Sequence, residues 1–217
     1  MAHAATGTGT AAPLIPPRPS VPNLRRAAAT CRACHLWMCG TQTVFGEGPA
    51  SARVMLVGEQ PGDQEDKAGR PFIGPAGRLL DDVLEKAGLD RTEVYVTNAV
   101  KHFKWEAAER GERRIHKKPN AGEIKACRPW LDAEIRVVRP SLVVCLGATA
   151  AQALLGKSFR ITRDRGKPVQ IPEGPMAFAT MHPSAVLRVP DSAGRAQAQK
   201  DLVTDLKAVA KYLSRMA

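Results

Sequence analysis

Leu142-Val-Val-Cys-Leu146, followed at once by Gly147-Ala-Thr149, is the stretch whose reading decides the fold. Five consecutive apolar residues describe a strand covered on both faces, because a half-exposed strand would alternate apolar with polar positions. Three more runs have the same character: Arg53-Val-Met-Leu-Val57, Val94-Tyr-Val-Thr97 and Ala177-Phe-Ala-Thr180. Helical patterns lie between them. Pro75 to Gly88 sets Leu79, Leu80, Val83, Leu84 and Ala87 at helical spacing, with Pro near the start and Gly as the stop. Residues 121–138 and 148–155 read similarly, and Leu202, Leu206, Val209 and Leu213 form one stripe of a last helix. This alternation predicts an α/β fold, a three-layer αβα domain around a central, mainly parallel four-stranded sheet with right-handed crossovers.

Outward from this frame, residues 1–22 hold five of the 17 prolines together with Gly, Thr and Ala, and read as a disordered tail before a single domain spanning 23–217. Lys plus Arg exceed Asp plus Glu by 32 to 21, a net charge of +11 that points to a polyanionic partner, nucleic acid first. The longest uncharged stretch, Pro140 to Gly156, falls short of the roughly 18 apolar residues of a membrane-spanning helix. The first residues carry neither a basic segment nor a continuous apolar stretch, so no secretory signal is read and a cytoplasmic protein is expected. Five cysteines, an odd number in that setting, argue for metal or cluster ligation over a disulfide framework.

In α/β folds the ligand lies beyond the carboxyl ends of the strands. Those positions are Gly58-Glu-Gln-Pro-Gly-Asp63, Asn98-Ala-Val-Lys-His102, Gly147-Ala-Thr149 and Met181-His-Pro-Ser184. The first lacks G-x-G-x-x-G, and Gly69 to Gly74 has P-loop glycine spacing but Pro75 and Ala76 where Lys and Ser/Thr belong, so a phosphate cradle is excluded. Glu59, Asp63, Glu65 and Asp66 crowd four carboxylates into eight residues, suited to general-base or cation-orienting work or to a solvated loop.

Cys31-x2-Cys34 and Cys127 supply three soft ligands, with a fourth to be found among Cys39, Cys145, His35 and His102. Cys145, inside an apolar strand, reads as an inert buried thiol. Zinc and an iron–sulfur cluster both suit such a set. Residues 101–128 carry nine Lys and Arg against four Glu, a charge of +5 able to neutralise phosphates, and within them Arg113-Arg-Ile-His116 places an imidazole amid the cations.

Seven segments in order resemble the iron–sulfur uracil-DNA glycosylases, and most closely their UdgX group: Gly58-Glu-Gln-Pro-Gly62, Pro71-Phe-Ile-Gly-Pro-Ala-Gly77, Thr97-Asn-Ala-Val-Lys-His102, Arg113-Arg-Ile-His116, Ala126-Cys-Arg-Pro-Trp130, Leu146-Gly-Ala-Thr-Ala150 and His182-Pro-Ser184. The resemblance spans about residues 30–213 and implies a uracil-DNA glycosylase-like domain. It also implies a [4Fe–4S] cluster on Cys31, Cys34, His102 and Cys127, with His102 where thermophilic-type relatives have Cys. Glu112 stands where the UdgX loop usually has Lys.

The resemblance further implies excision of uracil from single- or double-stranded DNA, the base being flipped into a pocket. Phe72 would stack on uracil, Asn98 would read its Watson–Crick edge, and groups around Gln60 and Asp63 would help hold it. His182 would donate to a uracil carbonyl as charge develops on the leaving base. His116, kept unprotonated at its attacking nitrogen by Glu59, would bond to the sugar C1′ and remain attached. Arg113, Arg114, Lys117, Ser184, Leu187 and Arg188 are the expected DNA contacts, Arg114 on phosphate and Leu187 with Arg188 as a wedge. A monomer, associated with the nucleoid through DNA, is expected. Two other readings stand beside this one: a conventional glycosylase in which water replaces His116, and a zinc-stabilised, non-catalytic DNA-binding module.

Overall fold

The computed structural model describes residues 9–109 and 113–216. A first helix, α1 (Val21–Ala28), precedes strand β1 (Val54–Gly58), a short helix α2 (Asp63–Ala68), α3 (Pro75–Ala87) and β2 (Val94–Asn98). A hairpin of β3 (Trp105–Ala107) and β4 (Arg114–His116) leads to α4 (Ala121–Val138), β5 (Leu142–Leu146) and α5 (Ala148–Leu155). The chain closes with α6 (Ile161–Asp164), β6 (Val169–Gln170), β7 (Met176–Thr180), α7 (Pro183–Leu187) and α8 (Ser192–Ser214).

The sheet runs β2-β1-β5-β7-β6, its first four strands parallel and the last antiparallel to β7. The four expected strands are thus the parallel ones, and the two-residue β6 is an unanticipated edge, too short to show any periodicity. Val54, Leu56, Val96, Val144 and Phe178 point to one face and pack with Leu80, Leu84, Leu202 and Leu206 of α3 and α8. Met55, Val57, Tyr95, Val143 and Ala177 point to the other, against Leu131 of α4 and Ala150 and Leu154 of α5. Successive residues of a strand alternate between faces, so a wholly apolar strand needs both layers.

A third packed group joins the amino-terminal segment to α4: Leu24, Ala28, Cys31 and Leu36 against Val100, Cys127, Trp130 and Ala133. The tail expected to end at residue 22 does not match this arrangement over residues 9–22. Ala11 is fully buried and its N–H donates to Ala126 O at 2.8 Å, while Gly9 N–H donates to Ala33 O at 3.1 Å. Composition cannot reveal that a Pro-rich segment, already restricted in its unfolded state, has a docking surface on α4. Residues 1–8 of that expected tail, and Arg110 and Glu112 of the basic segment, lie outside the described residues. Among the described residues no helix is long and apolar enough to cross a membrane.

Candidate active site

Three parallel strands deliver their ends to one place. Gly58 closes β1 beside Asn98, the last residue of β2, and His182 follows β7. A Cβ on residue 58 would stand 2.3 Å from Asn98 Oδ1 and 2.7 Å from Phe72 Cζ, so glycine is what lets the amide and the ring converge. Phe72 has φ of 56°, a conformation that costs a non-glycine residue on the order of 1–3 kcal/mol and concentrates at working sites. The same loop turns so closely over α3 that a Cβ on Gly77 would meet Phe72 O at 1.7 Å. The Phe72 and His182 rings stack at 6.1 Å with planes 27° apart.

His182 caps the short α7, and its tautomer follows from that cap. Ser184 N–H donates to His182 Nδ1 at 3.1 Å, with Ser184 Oγ 2.8 Å from the same nitrogen. Nδ1 is therefore the acceptor, and Nε2 carries the proton of the neutral ring. Burial first, then Arg188 and His116, push the imidazole down to about 4. His182 is a neutral hydrogen-bond donor at physiological pH.

The hairpin forms the opposite wall. Gln60 Nε2 donates to Lys104 O at 3.2 Å and Lys117 O at 3.1 Å, and Lys104 N–H donates back to Gln60 Oε1 at 3.2 Å. One buried amide thereby closes the base of both strands. It holds His116, paired across the hairpin with Trp105, at the pocket rim. His116 Nε2 lies 3.7 Å from Glu59 Oε1, and the other oxygen of that carboxylate accepts a hydrogen bond from Thr149 Oγ1. Partial burial lowers the His116 imidazole below its ordinary value, with Arg188 acting in the same direction and Glu59 against it.

These side chains line a cleft of about 500 Å³, with Gln60, Phe72, Asn98, His116, His182 and Arg188 among its walls. Arg113 and Arg188 are exposed at its mouth, Ser184 is a partly buried part of its wall, and Leu187 protrudes at 39% exposure. An apolar ring, an amide, a neutral imidazole donor and cations at the entrance make a site for a flat, hydrogen-bonding, anionic-tailed ligand.

Several residues expected in binding roles are turned elsewhere. Arg114 does not face solvent: only 13% of its side chain is exposed, Nε donates to Asp63 Oδ1 at 2.5 Å and Nη1 to Asp66 Oδ2 at 2.6 Å. Its guanidinium lies over Phe103 and Trp105, at 5.3 and 5.4 Å from the ring centroids. The reason is charge complementarity within the fold, which draws the arginine from phosphate to two carboxylates. Asp63 lines the cleft, but its carboxylate is held by Lys67 first and then by Arg114, which keep it below its ordinary value. Asp66 is fully buried and accepts from Thr41 N and Oγ1 as well, while Glu65 caps Gly62 and Gly74 N–H groups. The crowded acids thus open helix α2 and anchor the hairpin, Asp63 and Glu65 still bordering the cleft, while Glu59 faces His116. Lys117 pairs with Glu106 at 2.7 Å.

Thr149, in the segment after β5, carried no role in the sequence reading although its hydroxyl fixes Glu59. Behind Asn98, Lys101 is buried with Nζ on Thr97 Oγ1, Asn98 O and Glu134 Oε2 at 2.6, 2.8 and 2.5 Å. A buried lysine satisfied by three acceptors holds the end of β2 rigidly. Nothing in the local pattern distinguishes it from its solvated neighbours.

Cys31, Cys34 and Cys127 gather between α1 and α4. Cys34 is pushed up mainly by burial and further by Cys31 and Cys39, and Cys127 is pushed up to about 12 by burial, with Cys34 and Cys31 adding to it. Trp130 Nε1 points at Cys31 Sγ at 3.3 Å and Lys101 N–H at Cys127 Sγ at 3.2 Å, donors that suit thiolate sulfur. His102 is buried and lowered to about 4 by burial, the neutral form that ligates metals. Among the described residues no three His, Cys, Asp or Glu side chains are drawn tightly enough together to hold one metal ion.

Residues 45–207 match the model of the uracil DNA glycosylase superfamily. The chain is 40% identical over 159 residues to the type-4 uracil-DNA glycosylase of Thermotoga maritima, covering 73% of this chain and 78% of that protein. It is 36% identical over 180 residues to the type-4 enzyme of Sulfurisphaera tokodaii, covering 79% and 78%, and 31% identical over 203 residues to that of Archaeoglobus fulgidus, covering 90% and 94%. With the converging strand ends and the cleft they build, these matches show that the chain belongs to the uracil DNA glycosylase superfamily.

Proposed function

We propose that this protein excises uracil from single- or double-stranded DNA and then retains the abasic sugar covalently on His116. The observation that carries the second half is the placement of His116 Nε2 at 3.7 Å from Glu59 Oε1, on the rim of the cleft that holds Phe72, Asn98 and His182. The type-4 uracil-DNA glycosylases it resembles support the first half.

In this reading a flipped uridine enters the cleft, its base packed on Phe72 and its edge read by the Asn98 amide, at an unstacking cost of a few kcal/mol that is smallest in single strands. The C1′–N1 bond breaks with its electron pair passing to the base. His182 Nε2–H donates to the uracil carbonyl that gains this charge, and because the ring is already neutral the donor needs no prior deprotonation. The sugar left behind is an oxocarbenium ion. A lone pair of the neutral His116 imidazole forms the bond to C1′, and the imidazolium so produced is compensated by the Glu59 carboxylate. Thr149 keeps that carboxylate aimed. Arg113 and Arg188 meet phosphates at the mouth, and Leu187 fills the space the base has left.

The donor set suits a [4Fe–4S] cluster held by Cys31, Cys34, His102 and Cys127. Three thiols and a neutral imidazole are soft donors of the kind such a cluster takes. Bound there, it would tie the amino-terminal segment to α4. A monomer working on the nucleoid in the cytoplasm accords with one cleft and one nucleotide.

Incubation with a uracil-containing single-stranded oligonucleotide, boiling in SDS and electrophoresis test the proposal. A shifted band that requires both uracil and His116 is expected. Alkali-labile sites without a shifted band would assign the chain to ordinary turnover, with water in place of His116. Neither signal would leave a metal-stabilised DNA-binding module.

A further inference from the structure

The nine cations of residues 101–128 are not equivalent. Lys101 is buried on Glu134, Lys104 pairs with Glu123 at 2.9 Å, Arg114 with Asp63 and Asp66, Lys117 with Glu106, and Arg128 with Asp132 at 2.6 Å. Arg110 lies outside the described residues. Arg113 stands at the mouth of the cleft, which leaves Lys118 and Lys125 as exposed cations to be accounted for.

Both line a second groove of about 630 Å³ between the start of α4 and α5. Lys157, just past α5, completes its rim, and no Asp or Glu contributes to its walls. Its floor is uncharged and largely apolar, with Pro119, Ile124, Pro129 and Ala153. Among the described residues Lys118, Lys125 and Lys157 form no ion pair. A smaller cavity of about 290 Å³ stands between this groove and the main cleft: it shares Lys118 and Thr149 with the groove and His116, His182 and Arg188 with the cleft.

We propose that this groove is the track of the DNA strand that runs away from the flipped uridine, with Lys125 and Lys157 on successive phosphates and the apolar floor against sugar and base surfaces. The inference rests on the reading that the main cleft receives uridine. A positively charged groove that tracks the backbone is one element of a sequence-tolerant single-strand site, and here aliphatic and proline surfaces stand where such sites carry aromatic rings. The intervening cavity, walled by residues of both, selects the substrate's own strand as the occupant. The strand fits better than an unrelated acidic protein, because it is already tethered at the cleft and pays no separate cost of association.

Three oligonucleotides of one composition test this: a short one with central uracil, and two long ones with uracil near either end. Binding by anisotropy and uracil release are compared for the unmodified protein, Lys125→Ala/Lys157→Ala, and a control, Lys200→Ala/Lys207→Ala, whose lysines are exposed on α8. One of the two long oligonucleotides should bind more tightly than the other. The double variant should lose that advantage, about five- to twentyfold, with a salt slope shallower by about 0.7 for each lost contact, and should treat the short oligonucleotide as the unmodified protein does. Equal losses on all three oligonucleotides, an equal loss in the control, or no loss would overturn the track. Displacement of the long strand by polyglutamate as readily as by uracil-free single-stranded DNA would overturn it in favour of an acidic protein partner. Failure of the unmodified protein to release uracil even from the short oligonucleotide would overturn the glycosylase reading first, and the track with it.

Discussion

Arg114 Nη1 lies 2.6 Å from Asp66 Oδ2, a charged pair 48 residues apart in the chain that fixes the hairpin against helix α2. Asp66 is fully buried, so removing Arg114 leaves its carboxylate without a cation, whereas removing Asp66 leaves Arg114 on Asp63 and instead deprives the Thr41 N–H and hydroxyl of their acceptor. Asp66→Ala is expected to cost about 1–3 kcal/mol of stability, read as a lowered midpoint in denaturant. Arg114→Ala should likewise destabilise while leaving the salt dependence of DNA binding unchanged. Arg113→Ala should do the opposite, keeping stability and making the salt slope shallower by about 0.7–0.9. A reduced slope in Arg114→Ala would mean that its guanidinium does reach phosphate.

Gln60 governs where His116 sits. Replacing its amide by Ala removes three hydrogen bonds to Lys104 and Lys117, each worth about 1 kcal/mol. Covalent capture should fall more steeply than base release, since Asn98 at the end of β2 and His182 after β7 stay in place. Single-turnover rates of uracil release and of adduct formation, measured together, separate the two. Equal losses would show that the clamp serves the pocket as a whole.

Thr149 holds one oxygen of the Glu59 carboxylate. Thr149→Ala frees one carboxylate oxygen and should slow adduct formation about tenfold, the equivalent of one lost hydrogen bond to a charged group. Thr149→Ser, which keeps the hydroxyl, should restore it. A serine variant as slow as alanine would place the effect in the lost methyl group.

His182 links stability to pH. Its folded imidazole titrates at about 4 against an ordinary value of 6.5, so between those values the unfolded chain binds a proton that the folded chain does not. Stability therefore falls as pH drops from 6.5 toward 4, by up to about 3 kcal/mol from this group, and is untouched above 6.5. His116 is shifted in the same direction. Denaturant midpoints across this range should decline less in His182→Gln than in the unmodified protein. An identical decline would assign the acid sensitivity elsewhere.

The sheet was legible because its evidence is local: four apolar runs, each within one residue of the observed strand. The residues at the strand ends were legible for the same reason, since a strand's carboxyl end points to the ligand side whatever the rest of the chain does. What escaped depends on distant partners. Arg114 and Lys117 look alike in sequence, and only Asp63 and Asp66, brought in by α2, decide that one is internal. The docking of residues 9–22 on α4, the clamp of Gln60 on a hairpin 44 residues later and the burial of Lys101 on Glu134 have the same character. Charge and composition name a residue's capacity; the tertiary partner decides how it is used.

The most direct test of the account is to locate the sugar on the protein. After reaction with a uracil-containing oligonucleotide, nuclease and trypsin digestion, tandem mass spectrometry should find the Ile115-His116-Lys117 peptide carrying deoxyribose on the histidine. Uracil released into solution with that peptide unmodified, or the sugar found on any other residue, would contradict the role given to His116.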